Sequence, residues 1–144
     1  MLTRQHILEL IPHQGTMCLL DEVVSWTDCA IACRSWSHLA PDNPLRRDGE
    51  LNSICGIEFG LQAAALHGAL VVNRAQPAGY LGAIRAVEIL VPRLDDASFG
   101  VLQVTAELQL REASGLIYSF ALRAEAGSPL LNGRATILLR EGAS

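Results

Sequence analysis

Asn52-Ser53-Ile54-Cys55-Gly56-Ile57-Glu58-Phe59-Gly60-Leu61-Gln62-Ala63-Ala64-Ala65-Leu66-His67-Gly68-Ala69-Leu70-Val71-Val72 reads as one long helix, and its composition decides what must surround it. Asn52 or Ser53 offers a side-chain oxygen to cap the first turn. Ile54, Ile57, Leu61, Ala64, Ala65 and Gly68 then spread apolar surface over most of the circumference, which belongs inside a protein rather than on its rim. The many alanines and glycines let sheet backbone approach closely.

Downstream of this helix everything beyond Gly79 reads as strand. Tyr80 to Leu94 is one, with Pro92 near its end. Leu102, Val104, Ala106, Leu108 and Leu110 alternate with Gln103, Thr105, Glu107, Gln109 and Arg111, the period of a sheet buried on one face. Ala113-Ser114-Gly115 turns the chain into Leu116 to Glu125, and Gly127-Ser128-Pro129 turns it into Leu130 to Arg140. Upstream, Thr3 to Leu10 is a short helix with Thr3 as its cap, broken by Ile11-Pro12-His13-Gln14-Gly15. Met17 to Thr27 and Cys29 to Ser37 are strands joined by a tight turn, and an irregular loop runs from Pro41 through Gly49. The order is short helix, two strands, one buried helix, then four strands in a meander. That is an α+β layout in which the 52–72 helix is the one layer available to cover the sheet. The open sheet edge suits pairing with a second chain, so a dimer is expected.

The chain has 144 residues and no repeat, low-complexity tract or linker, so residues 1–144 are read as one domain. Half the residues are hydrophobic, yet no uninterrupted apolar run approaches a membrane span. The polar, helical start carries no secretory signal pattern, and a soluble, cytoplasmic protein is expected. A net charge of -4 argues against a nucleic-acid partner. All eleven basic residues are arginine, so any acidic partner is met by guanidinium groups. Cys18, Cys29, Cys33 and Cys55 lack metal-knuckle spacing and are read as four buried thiols; no metal site is expected.

Two segments resemble the small 3-hydroxyacyl-carrier-protein dehydratases. Ile11-Pro12-His13-Gln14-Gly15-Thr16-Met17-Cys18-Leu19-Leu20-Asp21-Glu22-Val23 is similar to that family's L-P-H-R-x-P-F-L-L-V-D-R-V. Gly56-Ile57-Glu58-Phe59-Gly60-Leu61-Gln62-Ala63 is similar to its I-E-A-M-A-Q-A. A fainter likeness runs from Tyr80 to Pro92. The family departs from this chain in carrying its catalytic histidine in a G-H-F-P loop, whereas Asn43 to Gly56 contains no histidine. In this respect the chain looks closer to the dehydratase-like proteins of aryl-polyene biosynthesis. The resemblance implies a hot-dog fold, a curved antiparallel sheet wrapped around one helix. It also implies dehydration of 3-hydroxyacyl thioesters to trans-2-enoyl thioesters on a phosphopantetheinylated acyl carrier protein. The assembly it implies is a homodimer, or a heterodimer with another hot-dog chain, and no cofactor is implied. A non-catalytic partner of an active dehydratase and an acyl-thioesterase are the rival readings.

Glu58, as the family's helix acid, would protonate the departing hydroxyl; the alternative is a carboxylate at a wet edge or paired with arginine. Gln62 lies one turn on, able either to orient Glu58 and contact substrate or to satisfy nearby backbone. His13, inside the matched motif, is the favoured base for the C2 proton, with His38 in reserve. His67 falls on the opposite side of the helix and is read as structural, and His6 as solvated. The N–H groups of Ile54, Cys55 and Gly56 would hold the thioester carbonyl at a helix N-terminus. Gly82 would allow close approach from a neighbouring strand, and Arg46 and Arg47 are candidates for phosphate or carrier-protein contact, the alternative being two solvated arginines on a loop.

Overall fold

The computed structural model describes residues 1–72 and 80–138. Strand β1 (Leu2–Thr3) leads into helix α1 (Arg4–Leu10), then β2 (Glu22–Trp26), β3 (Ala30–Ser35), the long helix α2 (Gly56–Val71), and strands β4 (Tyr80–Ile89), β5 (Leu102–Glu112), β6 (Gly115–Arg123) and β7 (Pro129–Leu138). All neighbouring strands are antiparallel, in the order β1-β2-β3-β5-β6-β7-β4. One sheet packed on one helix is the expected hot-dog arrangement.

The four-strand meander is corrected. β5, β6 and β7 form one, but β4 pairs with β7 at the sheet edge, and β5 pairs with β3 instead. The reason lies between β4 and β5. The Leu94 N–H donates to the Leu51 carbonyl (2.9 Å) and the Ser53 N–H to the Pro92 carbonyl (3.3 Å). These bonds draw the connection across the start of α2, so it cannot fold back as a hairpin. The first long strand is also shorter than expected: Gly15–Met17 is a 3-10 turn, and pairing begins only at Glu22. The final strand is described to Leu138; Leu139 and Arg140 lie outside the described residues.

The caps follow local chemistry. Thr3 Oγ1 contacts His6 Nδ1 at 3.0 Å across the first turn of α1, and Asn52 Oδ1 accepts from the Ile54 N–H at 3.0 Å ahead of α2. Phe59, Ala63, Ala64, Leu66 and Leu70 of α2 pack against Val104, Ala106, Tyr118, Phe120, Leu122, Leu131 and Ala135 of the sheet. By length and composition alone Ser53–Val71 could cross a membrane, but most of it is packed inside the fold.

His67 is fully buried and ties three elements together. Its Nε2 donates to the Thr27 carbonyl at 2.8 Å, which leaves Nδ1 to accept from the Tyr118 hydroxyl at 2.7 Å. Burial pushes the Tyr118 phenol up to about 12, so it remains a donor. The four-buried-thiol expectation holds for Cys18 and Cys33 only; Cys55 is half-buried, and Cys29 is exposed next to the β2–β3 turn.

Candidate functional site

One stripe of α2 is left uncovered by its own sheet. Ile54, just ahead of the helix, and Ile57, Glu58, Leu61, Ala65, Gly68 and Val72 are exposed or half-buried, while the positions between them are largely buried. Their spacing of three and four residues is that of one helix face. Glu58 is the one charged side chain on it. Glu58 lies at the helix's wet edge, facing solvent in the single chain, and the other members of the stripe are apolar.

The start of this stripe is roofed by the loop after β3. Asp48 (φ 53°) and Gly49 (φ 76°) both adopt left-handed backbone. Arg47 and Glu50 exchange backbone hydrogen bonds of 2.8 and 3.0 Å around them, the geometry that an Asp-Gly dipeptide favours. Arg46 is wholly engaged in holding the loop. Its guanidinium donates to the carbonyls of His38 (3.2 Å), Ala40 (2.9 Å) and Gly49 (3.0 Å) and pairs with Asp95 at 3.3 Å. Asp95 also binds Arg93 at 2.6 Å and the Leu51 N–H at 3.1 Å. Hydrogen bonding from Arg93 is the main force holding its carboxyl well below the usual range. Arg46 is thus neither solvated nor free to dock but a loop staple, whereas Arg47 remains exposed.

Cys55 sits under this loop, its Sγ 3.8 Å from the Leu45 carbonyl. Burial raises its pKa; Arg47 opposes this and Glu58 reinforces it, which places both charges near the thiol. A raised pKa keeps the sulfur protonated and unsuited to nucleophilic attack. The free N–H groups expected here are corrected. Ile54 N–H is capped by Asn52, Cys55 N–H bonds the Asn52 carbonyl at 3.0 Å, and Gly56 N–H bonds the carbonyls of Ser53 and Ile54. The short 3-10 turn preceding α2 takes the Cys55 and Gly56 donors, and the Asn52 side chain takes that of Ile54. Gly56 instead serves packing, because a Cβ there would lie 3.1 Å from Leu122 Cδ2. Gly82 is likewise approached closely by its own sheet: a Cβ would lie 3.0 Å from Leu138 Cγ.

His13 occupies the loop after α1 and is half-exposed, with its Nδ1 buried and without a hydrogen-bond partner among the described residues. The loop is pinned on both sides. Gln14 Nε2 donates to the Leu8 carbonyl at 2.8 Å, and Arg4 donates to the Gly15 carbonyl at 2.7 Å. Gln62 is buried and does not turn toward Glu58. Its Oε1 accepts from the Leu19 N–H and its Nε2 donates to the Met17 carbonyl, both at 2.8 Å. Sequence reasoning missed the residues behind this contact. Ser35 and Ser37 donate to the Leu19 carbonyl at 2.6 and 2.7 Å, and buried Asp21 accepts from the Trp36 N–H at 2.8 Å. Isolated serines at a strand end carry no sequence signal.

His38 is fully buried, and neither ring nitrogen has a hydrogen-bond partner among the described residues. Substrate arriving from solvent does not reach it in this chain. Burial is the chief cause of its lowered pKa, with the Gly100 backbone, Arg46 and Asp95 as smaller, partly opposing influences. The unfolded chain therefore takes up a proton near pH 6.5 that the folded chain refuses. The associated stability is complete above that value and is lost as pH falls toward the folded pKa, at up to about 1.4 kcal/mol per pH unit. Thermal midpoints measured from pH 7.5 down to 5 should fall in the wild type, and His38→Gln should flatten that decline.

Among the described residues no three His, Cys, Asp or Glu side chains gather as metal ligands. A trough of about 660 Å³ lies on the sheet face turned away from α2, beside Trp26, Glu107, Arg123 and Arg134. None of the sequence-predicted site residues lines it. The chemistry-bearing residues lie elsewhere, along α2 and the segments bound to it.

Residues 5–140 match the family model described as ApeP-like, ApeP dehydratase. No curated protein matches the chain in sequence. Among solved structures, the dehydratase heterocomplex ApeI:P from Xenorhabdus doucetiae superposes with a TM-score of 0.79 at 23% identity, covering 94% of this chain and 91% of that one. A hypothetical thioesterase bound to coenzyme A from Streptococcus pneumoniae gives 0.61 at 13% identity, covering 83% and 84%. Mouse thioesterase superfamily member 2 gives 0.59 at 14% identity, covering 83% and 81%. At these identities the structural likenesses show the hot-dog fold.

Proposed function

The chain belongs to the ApeP-like dehydratase family, and from that premise we propose that it removes water from 3-hydroxyacyl thioesters held on a phosphopantetheinylated acyl carrier protein. The product is the trans-2-enoyl thioester, in cytoplasmic biosynthesis of the fatty-acid or polyene type. The observation that carries this reading is Glu58, a lone carboxylate on an otherwise apolar, uncovered stripe of the core helix.

In the proposed reaction His13 takes the C2 proton. The electrons of that C–H bond become the second bond between C2 and C3 as the C3–O bond breaks. Glu58 delivers a proton to the departing oxygen, which leaves as water. Solvent then returns the proton from His13 to Glu58. Both residues belong to segments linked through Gln62, and the apolar stripe around Glu58 suits an acyl chain.

The site is proposed to be completed by a second hot-dog chain. An apolar helix face and an edge strand with exposed Leu81 and Ile89 are surfaces that a soluble chain covers in its working assembly. The heterocomplex named for the Xenorhabdus relative supports a second chain of the same fold, whether an identical copy or a different one.

The test is incubation of the purified, size-verified oligomer with a 3-hydroxyacyl carrier protein, followed by intact-protein mass spectrometry. Loss of one water from the acyl group is expected. Release of free carrier-protein thiol would assign a thioesterase instead. No reaction by the assembled oligomer would assign a non-catalytic partner subunit and overturn the proposal.

A further inference from the structure

We propose that Gln62 is a positioning residue that locks the His13 segment onto the helix carrying Glu58, with Ser35 and Ser37 completing the lock; this rests on the reading of His13 and Glu58 as the working pair. Gln62 lies one turn after Glu58, about 6 Å along the axis, and is 1% exposed. Its planar amide offers a donor and an acceptor on one rigid frame. The acceptor takes the Leu19 N–H and the donor meets the Met17 carbonyl, each at 2.8 Å. These partners also fix which end of the amide is oxygen, since an N–H must face an acceptor and a carbonyl a donor.

The Leu19 peptide is gripped from its other side as well, where Ser35 and Ser37 donate to its carbonyl at 2.6 and 2.7 Å. Both groups of one residue are therefore bound to side chains from two other elements, α2 and the end of β3. Four residues upstream of Met17 stands His13, whose own loop is held by Gln14 on α1 and by Arg4 on Gly15. Among the described residues, the side-chain hydrogen bonds in this series that reach α2 are those of the Gln62 amide. Its removal frees the 13–19 segment to shift against Glu58 without touching either reactive group.

Such a residue acts on the geometry of reaction and hardly on binding of the acyl chain. Gln62→Leu should lower kcat by about 10- to 100-fold, the scale of an ångström's misplacement, with KM little changed. Gln62→Glu, which keeps the acceptor for Leu19 and loses the donor for Met17, should fall between wild type and Gln62→Leu. In a double-mutant cycle with His13→Ala, the Gln62→Leu penalty should disappear, because the residue it positions is gone. Independent multiplication of the two losses would overturn the proposal.

A second arm needs no turnover. The imidazole signals of His13, followed by NMR in labelled protein, should shift or broaden in Gln62→Leu, and the Leu19 amide should lose protection from hydrogen exchange. Unchanged His13 signals in a folded Gln62→Leu variant would overturn the lock. Should that variant not fold, Gln62→Glu, which keeps the Leu19 bond and gives up the Met17 one, carries the same cycle and the same spectra. If the wild type dehydrates nothing while the spectra change as expected, it is the assigned reaction that fails and the lock stands.

Discussion

Glu58→Gln is expected to lower turnover of a 3-hydroxyacyl carrier protein by about 100- to 10,000-fold, the usual worth of a positioned general acid or base. The substitution keeps size, shape and hydrogen-bonding capacity, and removes only the ability to deliver a proton. It is also structurally quiet. Glu58 faces solvent in the single chain and makes no side-chain hydrogen bond or ion pair with the described residues, so folding stability should change by no more than about 0.5 kcal/mol. Loss of activity with an unchanged melting curve and an unchanged oligomer mass therefore reads out chemistry alone. Turnover within a few-fold of wild type would remove Glu58 from the acid's role. A fall in activity that tracked loss of the oligomer would instead make Glu58 part of the subunit contact. Single-turnover mass spectrometry on enzyme in excess separates these outcomes, because it reports the chemical step in assembled protein.

The sequence made α2 and its surroundings legible because periodicity reports burial directly. The alternation from Leu102 to Leu110 reappears as β5, and the Asn-Ser pair before Ile54 supplies the cap. What periodicity does not carry is which strands become neighbours. β4 reads like any other strand, and its place beside β7 depends on the Leu51–Leu94 and Ser53–Pro92 bonds made by a loop with no pattern of its own. The same limit applies at the candidate site. Glu58 and His13 stand inside linear motifs, so they are visible as letters. Gln62 is visible too, but the backbone groups it grips belong to a segment some forty residues away. The fate of the Cys55 and Gly56 donors turned on a single 3-10 turn, whose bonds differ from those of a regular helix start by one residue of register. Arg46 and Arg47 are adjacent and chemically identical, yet one is enclosed by carbonyls and Asp95 while the other reaches solvent. That difference is tertiary, and no local reading separates them.

Gly60→Val should destabilise the fold by about 3 kcal/mol or more, at the upper end of what overpacking costs. On helix propensity alone the exchange would be neutral or mildly favourable, since glycine is the poorest interior helix residue apart from proline. Packing reverses the sign. A Cβ at position 60 would stand 2.5, 2.6 and 2.9 Å from Cδ2, Cγ and Cβ of Phe120, distances that real side chains do not tolerate. The ring cannot withdraw, because its far side rests on Gly133, where an added Cβ would lie 2.9 Å from Phe120 Cζ and 3.1 Å from Val87 Cγ2. Phe120 is thus held between two glycines, one on α2 and one on β7. The strain must move a whole element, and α2 is the one that would lift. Calorimetry should show a melting point lower by about 10 °C for a chain of this size. Gly60→Ala should show a smaller drop, its gain in helix propensity of about 1 kcal/mol offsetting part of the clash. Phe120→Leu, harmful alone through the cavity it leaves, should recover part of the loss when combined with Gly60→Val, since the two changes act on one volume and cannot be additive. Strict additivity, or a stabilised Gly60→Ala, would show that α2 does not lie against Phe120 as closely as described. The placement of Glu58 at the edge of that packed face would then have to be redrawn with it.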